Sequence, residues 1–175
     1  MWSLLTASLC VLLAFATQIQ NCSDKKEIKM SDQTLTVEVK CKNNPECLFD
    51  DDDIFIEIFV INRSGSDVGF PLEFAREKGP GVKLIDTETK KESLLSTHLA
   101  DWDLKDEFVQ IKPGDSVTIE WVVTEDELTQ FGHKKVDLTI EVSLAEEIIV
   151  GGKKEKFKGT AQTRVVSKDK QNTNS

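Results

Sequence analysis

Residues 136–144 read VDLTIEVSL, and the fold is decided there. Val136, Leu138, Ile140, Val142 and Leu144 are apolar; Asp137, Thr139, Glu141 and Ser143 between them are polar. Side chains of an extended chain alternate between two faces, so this period of two predicts a half-buried β-strand. The pattern repeats just upstream, where Val117, Ile119, Trp121 and Val123 face one way and Thr118 and Glu120 the other. Between the two, Thr124-Glu125-Asp126-Glu127 has the spacing of a capping box: the Thr124 hydroxyl can take the Glu127 amide while the Glu127 carboxylate reaches back. It predicts one short helical turn near Glu125–Phe131, stopped by Gly132.

Working outward, Leu35, Val37 and Val39 alternate with polar residues and predict another half-buried strand. Ile54–Ile61, IFIEIFVI, is apolar on both faces except at Glu57 and predicts a central strand covered on both sides. Phe70–Phe74 reads as an edge strand because it contains Pro71, and Val82–Asp86 as a further short strand. Ser93–Asp106 has no clear period. Lys112-Pro113-Gly114-Asp115 is a turn, Gly151-Gly152 a two-residue hairpin turn, and Thr160–Val166 the return strand. About eight or nine short strands with regular turn signals predict an all-β, antiparallel β-sandwich. It spans residues 33–167, and residues 168–175 form a polar, disordered tail.

The segment Phe108–Leu144 runs strand, Pro-Gly-Asp turn, strand with an inward Trp, capped helical turn, alternating strand. It resembles the E-strand, E–F corner and F-strand of immunoglobulin-like modules in exported bacterial proteins. The resemblance implies an immunoglobulin-like architecture and carries over no functional residue. The chain departs from that pattern in having no Tyr for a tyrosine corner and no Cys after Cys47 for an inter-sheet disulfide.

The chain has 175 residues, with 22 Lys and Arg against 31 Asp and Glu, a net charge of −9. One domain is expected at this length, and so acidic a chain is not expected to bind nucleic acid. No apolar run of about 20 residues lies beyond the N-terminus, which excludes a polytopic membrane protein. Residues 1–21 read as a signal peptide, with Leu4–Ala16 apolar or small and no charge before Asp24. Two processing sites fit. Ala14-Phe15-Ala16 suits ordinary signal peptidase and leaves Thr17 first. Alternatively Ile19-Gln20-Asn21-Cys22 resembles a bacterial lipoprotein signal, which implies acylation of Cys22, a polar tether over residues 22–32, and a membrane anchor. After signal removal Cys22, Cys41 and Cys47 remain, an odd number. Cys41 and Cys47 bracket the turn-rich Lys-Asn-Asn-Pro-Glu and are expected to pair in an oxidising compartment. Cys22 is then acylated, a free thiol or bridged to another molecule.

Asp50-Asp51-Asp52-Asp53 is the densest charge. A Ca²⁺ could relieve its self-repulsion, but neighbours on an extended chain diverge and no D-x-D-x-D-G loop is present, so a solvated gatekeeper beside a sticky strand is the expected reading. His133, beside the helix stop, is expected to face solvent, and His98 lies in the unreadable connection near Asp101 and Asp103. No H-E-x-x-H, G-x-S-x-G or P-loop occurs. Trp121 is in register with core positions; Trp102, between two aspartates, is the candidate partner contact, with core packing as its alternative. Lys153–Lys158, KKEKFK, reads as a solvated hairpin tip able to meet an anionic surface. Asn62-Arg63-Ser64 and Asn21-Cys22-Ser23 fit a glycosylation sequon. The expectation is an exported, membrane-anchored, non-enzymatic binding module at the cell envelope or surface, with no cofactor and an unidentified protein partner. The alternatives are a freely secreted protein, because the Pro-Gly-turn-plus-Trp pattern also resembles some bacterial proteinase inhibitors, and a metal-binding or enzymatic domain using Asp50–Asp53 or His98.

Overall fold

A computed structural model describes residues 34–168. In chain order these form β1 (Leu35–Cys41), β2 (Leu48–Phe49), β3 (Ile54–Asn62), β4 (Val68–Phe70), α1 (Leu72–Lys78), β5 (Gly81–Asp86) and β6 (Glu92–Leu94). A 3-10 helix (Trp102–Asp106), β7 (Val109–Ile111), β8 (Ser116–Val123), α2 (Glu125–Thr129), β9 (Asp137–Val150) and β10 (Lys153–Ser167) follow. The expected signal peptide and tether with Cys22, and residues 169–175 of the expected tail, lie outside the described residues.

Two sheets face each other. β1, β3 and β8 make an antiparallel three-stranded sheet with β3 in the middle. The other sheet runs β2-β10-β9-β4-β7, with β5 also on β9 and β6 on β5. One continuous core holds Ile56, Ile58, Val60 and Ile119 of the first sheet with Leu84, Leu138, Ile140 and Val142 of the second. The sheets approach so closely at Gly159 that a Cβ there would lie 2.4 Å from Val37 Cγ2.

The alternating stretch is β9, and Val136, Leu138, Ile140, Val142 and Leu144 are all buried. The capping box forms, with Glu127 N donating to Thr124 Oγ1 and Thr124 N to the Glu127 carboxylate. Asp115 N donates to the Lys112 carbonyl at 2.9 Å, closing the Pro-Gly turn, and Gly114 takes the φ of +83° that only its missing Cβ permits cheaply. Gly151 and Gly152 both have positive φ, as a primed hairpin turn requires.

Several expectations are corrected. Phe70–Phe74 is not an edge strand: β4 ends at Phe70 and lies between β9 and β7. Pro71 instead caps α1, accepting from Ala75 N at 3.0 Å, a position where its own missing N–H costs nothing. The helical turn at α2 is joined by α1 and the 3-10 helix. The sheets are not wholly antiparallel, because β2 runs parallel to β10. Residues 153–158 are strand, not tip, since β10 starts directly after the Gly-Gly turn. β3 is central, but its outer face is open at Phe55, which is 52 % exposed.

Cys41 and Cys47 form a disulfide with their Cα atoms 5.4 Å apart. Such a bond belongs to oxidising compartments and points to a non-cytoplasmic protein. Among the described residues no helix is long and apolar enough to cross a membrane.

Candidate functional site

A gap in the pairing of β9 organises the site. On one side β10 pairs with β9 from Asp137 to Val150. On the other, β5 covers Leu138–Ser143 and β4 covers Ile149 and Val150. The chain leaves the sheet after Phe70, makes α1 and rejoins at Gly81, so residues 144–148 have no strand on that side. Which backbone groups face the gap follows from parity. The Asp137 carbonyl accepts from Thr87 N on the β5 side, and the Val136 carbonyl from Ser167 N on the β10 side. The register with β10 has no bulge. Backbone groups alternate sides along a strand, so those of Ala145 and Glu147 aim into the gap.

Short helices line the gap. From α1, Lys78 pairs with Glu146, whose side chain is 4 % exposed, and its Nζ lies 3.5 Å from the Ala145 carbonyl. The pairing matters because a buried carboxylate without a cation is costly. The Lys78 ammonium also sits 5.2 Å above the Phe74 ring. Phe74 in turn packs against Trp102, with ring centroids 5.8 Å apart. The 3-10 helix that carries Trp102 is fixed at its start, where Asp101 Oδ1 accepts from Asp103 N at 3.0 Å. It is tied to α1 by Asp101 N donating to Glu77 Oε2 at 2.9 Å.

Together these elements make a groove of about 560 Å³. Phe74, Leu99, Trp102 and Phe157 supply its apolar lining. Lys78, Lys105, Lys156 and Lys158 ring it, against Glu146 and Glu147. Lys156 and Lys158 make no ion pair among the described residues. Lys154 pairs with Asp106 at 2.5 Å, and that bond holds the Asp106 carboxyl below its ordinary range.

The structure brings together residues that the sequence separates. Trp102 is 71 % exposed at the groove, and Lys156, Phe157 and Lys158 of KKEKFK join it there. His98 borders the groove: its N–H donates to the Lys78 carbonyl at 2.9 Å and its ring lies 4.8 Å from Trp121. Trp121 is half-buried at the rim of the core and covers Gly79. Phe74, Lys78, Leu99 and Glu146 were not legible as site residues. The one available signal was Leu72 and Ala75 at helical spacing between Pro71 and Gly79.

Other singled-out residues lie elsewhere. His133 does not simply face solvent, because its Nε2 is 3.1 Å from Oδ2 of buried Asp86. Asp86 also accepts from the hydroxyl and the backbone N–H of Thr89. The Thr89 bonds and His133 outweigh the opposing effect of burial and hold its carboxyl at about 2. Asp53 accepts from Glu125 N at 2.8 Å, and Asp50 pairs with Lys168 at 3.2 Å. Among the described residues no three His, Cys, Asp or Glu side chains converge as a metal site. Asn62 is no glycan acceptor in the folded protein: it is fully buried, and its amide donates to the Ser66 and Ile111 carbonyls and accepts from Ser64. Asn21 lies outside the described residues.

No family model matches the chain, and no curated protein matches it. Among solved structures it is similar to a Northeast Structural Genomics Consortium target, at 12 % identity and a TM-score of 0.42 over 79 % of this chain and 89 % of that one. It is also similar to a protein from Archaeoglobus fulgidus, at 12 % identity and a TM-score of 0.33 over 76 % of this chain and 96 % of that one. Likenesses at this level carry no inference about the activity of this chain.

Proposed function

We propose that this protein is an exported lipoprotein, held at a membrane through acylated Cys22, whose immunoglobulin-like sandwich is a non-enzymatic module that binds a protein partner at the Trp102 groove. The observation that carries the reading is the pairing of Trp102, 71 % exposed, with Leu99, 98 % exposed, beside one apolar, lysine-rimmed groove. Exposed large apolar groups cost solubility unless something covers them, and an aromatic anchor beside a pocket is where interface energy concentrates. The two facing sheets and the capped turn between β8 and β9 support the immunoglobulin-like assignment, and the disulfide supports export.

Two measurements test it. Mass spectrometry of the native protein should find a diacyl or triacyl group on Cys22; an unmodified chain starting at Thr17 overturns the anchor and favours a freely secreted protein. A photo-cross-linking residue at position 102, in the full chain at its native location, should capture one protein partner. Capture from an exposed position outside the groove such as Glu88 and not from 102 overturns the site.

A further inference from the structure

We infer that the groove takes an extended segment of the partner carrying an acidic residue between apolar ones, which adds as a short strand along β9 at residues 144–148; the inference rests on Trp102 as the partner contact. Three observations on one patch carry it. The first is the open strand edge. Ala145 and Glu147 are exposed, line the groove, and aim their backbone groups into the gap left by β4 and β5. Lys78 reaches the Ala145 carbonyl, which leaves the Ala145 N–H and both Glu147 groups for an incoming chain. A gap of five residues is about 17 Å of strand, room for a peptide of similar length. An extended peptide joining a sheet gains main-chain bonds there and reads side chains at alternate positions.

The second observation fixes one set of alternate side chains. Ala145 pairs with Lys158 and Glu147 with Lys156, so these four share one face of the β9–β10 ribbon. Lys156 and Lys158 have no acidic partner among the described residues, in a chain whose net charge is −9. Lys158, opposite Ala145, meets the peptide residue beside that alanine, which is best filled by Asp or Glu, whereas the residue beside Glu147 is best left uncharged. The third fixes the other set. Glu146 and Phe157 share the opposite face, where Phe74 and Trp102 continue the lining. Peptide residues there are apolar or aromatic. The recognition pattern is therefore an acidic residue on the face of Ala145, flanked by apolar residues on the opposite face.

A long-chain carboxylate could also use an apolar lining and a lysine, but it has no use for a strand edge. The experiment separates the two. A random dodecapeptide phage library is selected on the full chain, and enriched peptides are synthesised. The expected winners carry an acidic residue flanked by apolar ones, bind at least tenfold more weakly to the double variant Lys156→Glu, Lys158→Glu, and lose binding when N-methylated at alternate backbone positions. Amide exchange at Ala145 and Glu147 should slow on binding. Both lysines are exposed, and far-UV circular dichroism checks that the variant stays folded. The inference is overturned if nothing is enriched over the double variant, if winners lack acidic residues, if N-methylation leaves affinity unchanged, or if dodecanoate binds the groove and no peptide does. A partner captured from position 102 with no peptide selected overturns strand addition alone; peptides selected with no capture from 102 overturn the partner reading instead.

Discussion

Gly79→Ala tests the packing behind the groove. Gly79 has φ +76° and ψ 162°, a region open almost only to glycine. Holding an alanine there costs about 1–3 kcal/mol in backbone strain. The new Cβ would also lie 2.3 Å from Trp121 Cζ3 and 2.4 Å from Cη2, well inside contact distance. Trp121 cannot retreat freely because its ring packs against that of His98, tilted by 42°, and overpacking of this kind costs a further 1–3 kcal/mol, roughly. The expected loss is about 2–6 kcal/mol. Urea unfolding followed by Trp fluorescence and circular dichroism measures it. In a Trp121→Val background the clash disappears and only the strain of about 1–3 kcal/mol should remain. A single-variant loss below about 1 kcal/mol, or the same loss in both backgrounds, refutes the packing argument.

Four further outcomes are expected. Replacing Cys41 and Cys47 by Ser should cost about 2 kcal/mol, the closure entropy of so short a loop, read as a lower urea midpoint matched by reducing the native protein. Asp86 binds protons less readily folded, at about 2, than unfolded, so its contribution is present above about pH 4 and is lost as the pH falls towards 2. Asp86→Asn should flatten the acid limb of stability against pH. Asn62→Ala strands the Ile111 carbonyl in the interior and should cost on the order of 1–3 kcal/mol by the same melt. Trp102→Ala should change stability by less than about 1 kcal/mol while abolishing capture of the partner.

Features set by neighbours in sequence were legible. The alternation of 136–144, the capping box at Thr124, the Pro-Gly and Gly-Gly turns and the Cys41–Cys47 pair each lie within a few residues, and each appears in the structure. Features set by remote contacts were not. β2 is two residues long and exists only because β10, over a hundred residues later, gives it a parallel edge. Charge hid the first half of β10: among Lys153–Lys158 only Phe157 turns inward, so the period of two had one apolar point. Pro71 was misread because the same missing N–H that spoils a strand suits the start of a helix. The aspartates that flank Trp102 pointed to exposure but left core packing as an equal alternative, and the ring is exposed. The groove around it was not legible, since its lining runs from Pro71 to Lys158 and no local period links them.

The Cys41–Cys47 bond also sets how the domain bears load. A pull from the N-terminal side reaches β1 at Leu35, opposite Asn62, and β1 can peel from β3 one pair at a time. Peeling ends at Cys41, the last residue of β1, where the bond passes tension to Cys47 at the threshold of β2. Beyond it the chain continues into β2, which lies parallel to the end of β10. The bond thus works as a mechanical bypass: while it holds, tension runs from Cys41 to Cys47 and residues 42–46 cannot be drawn out.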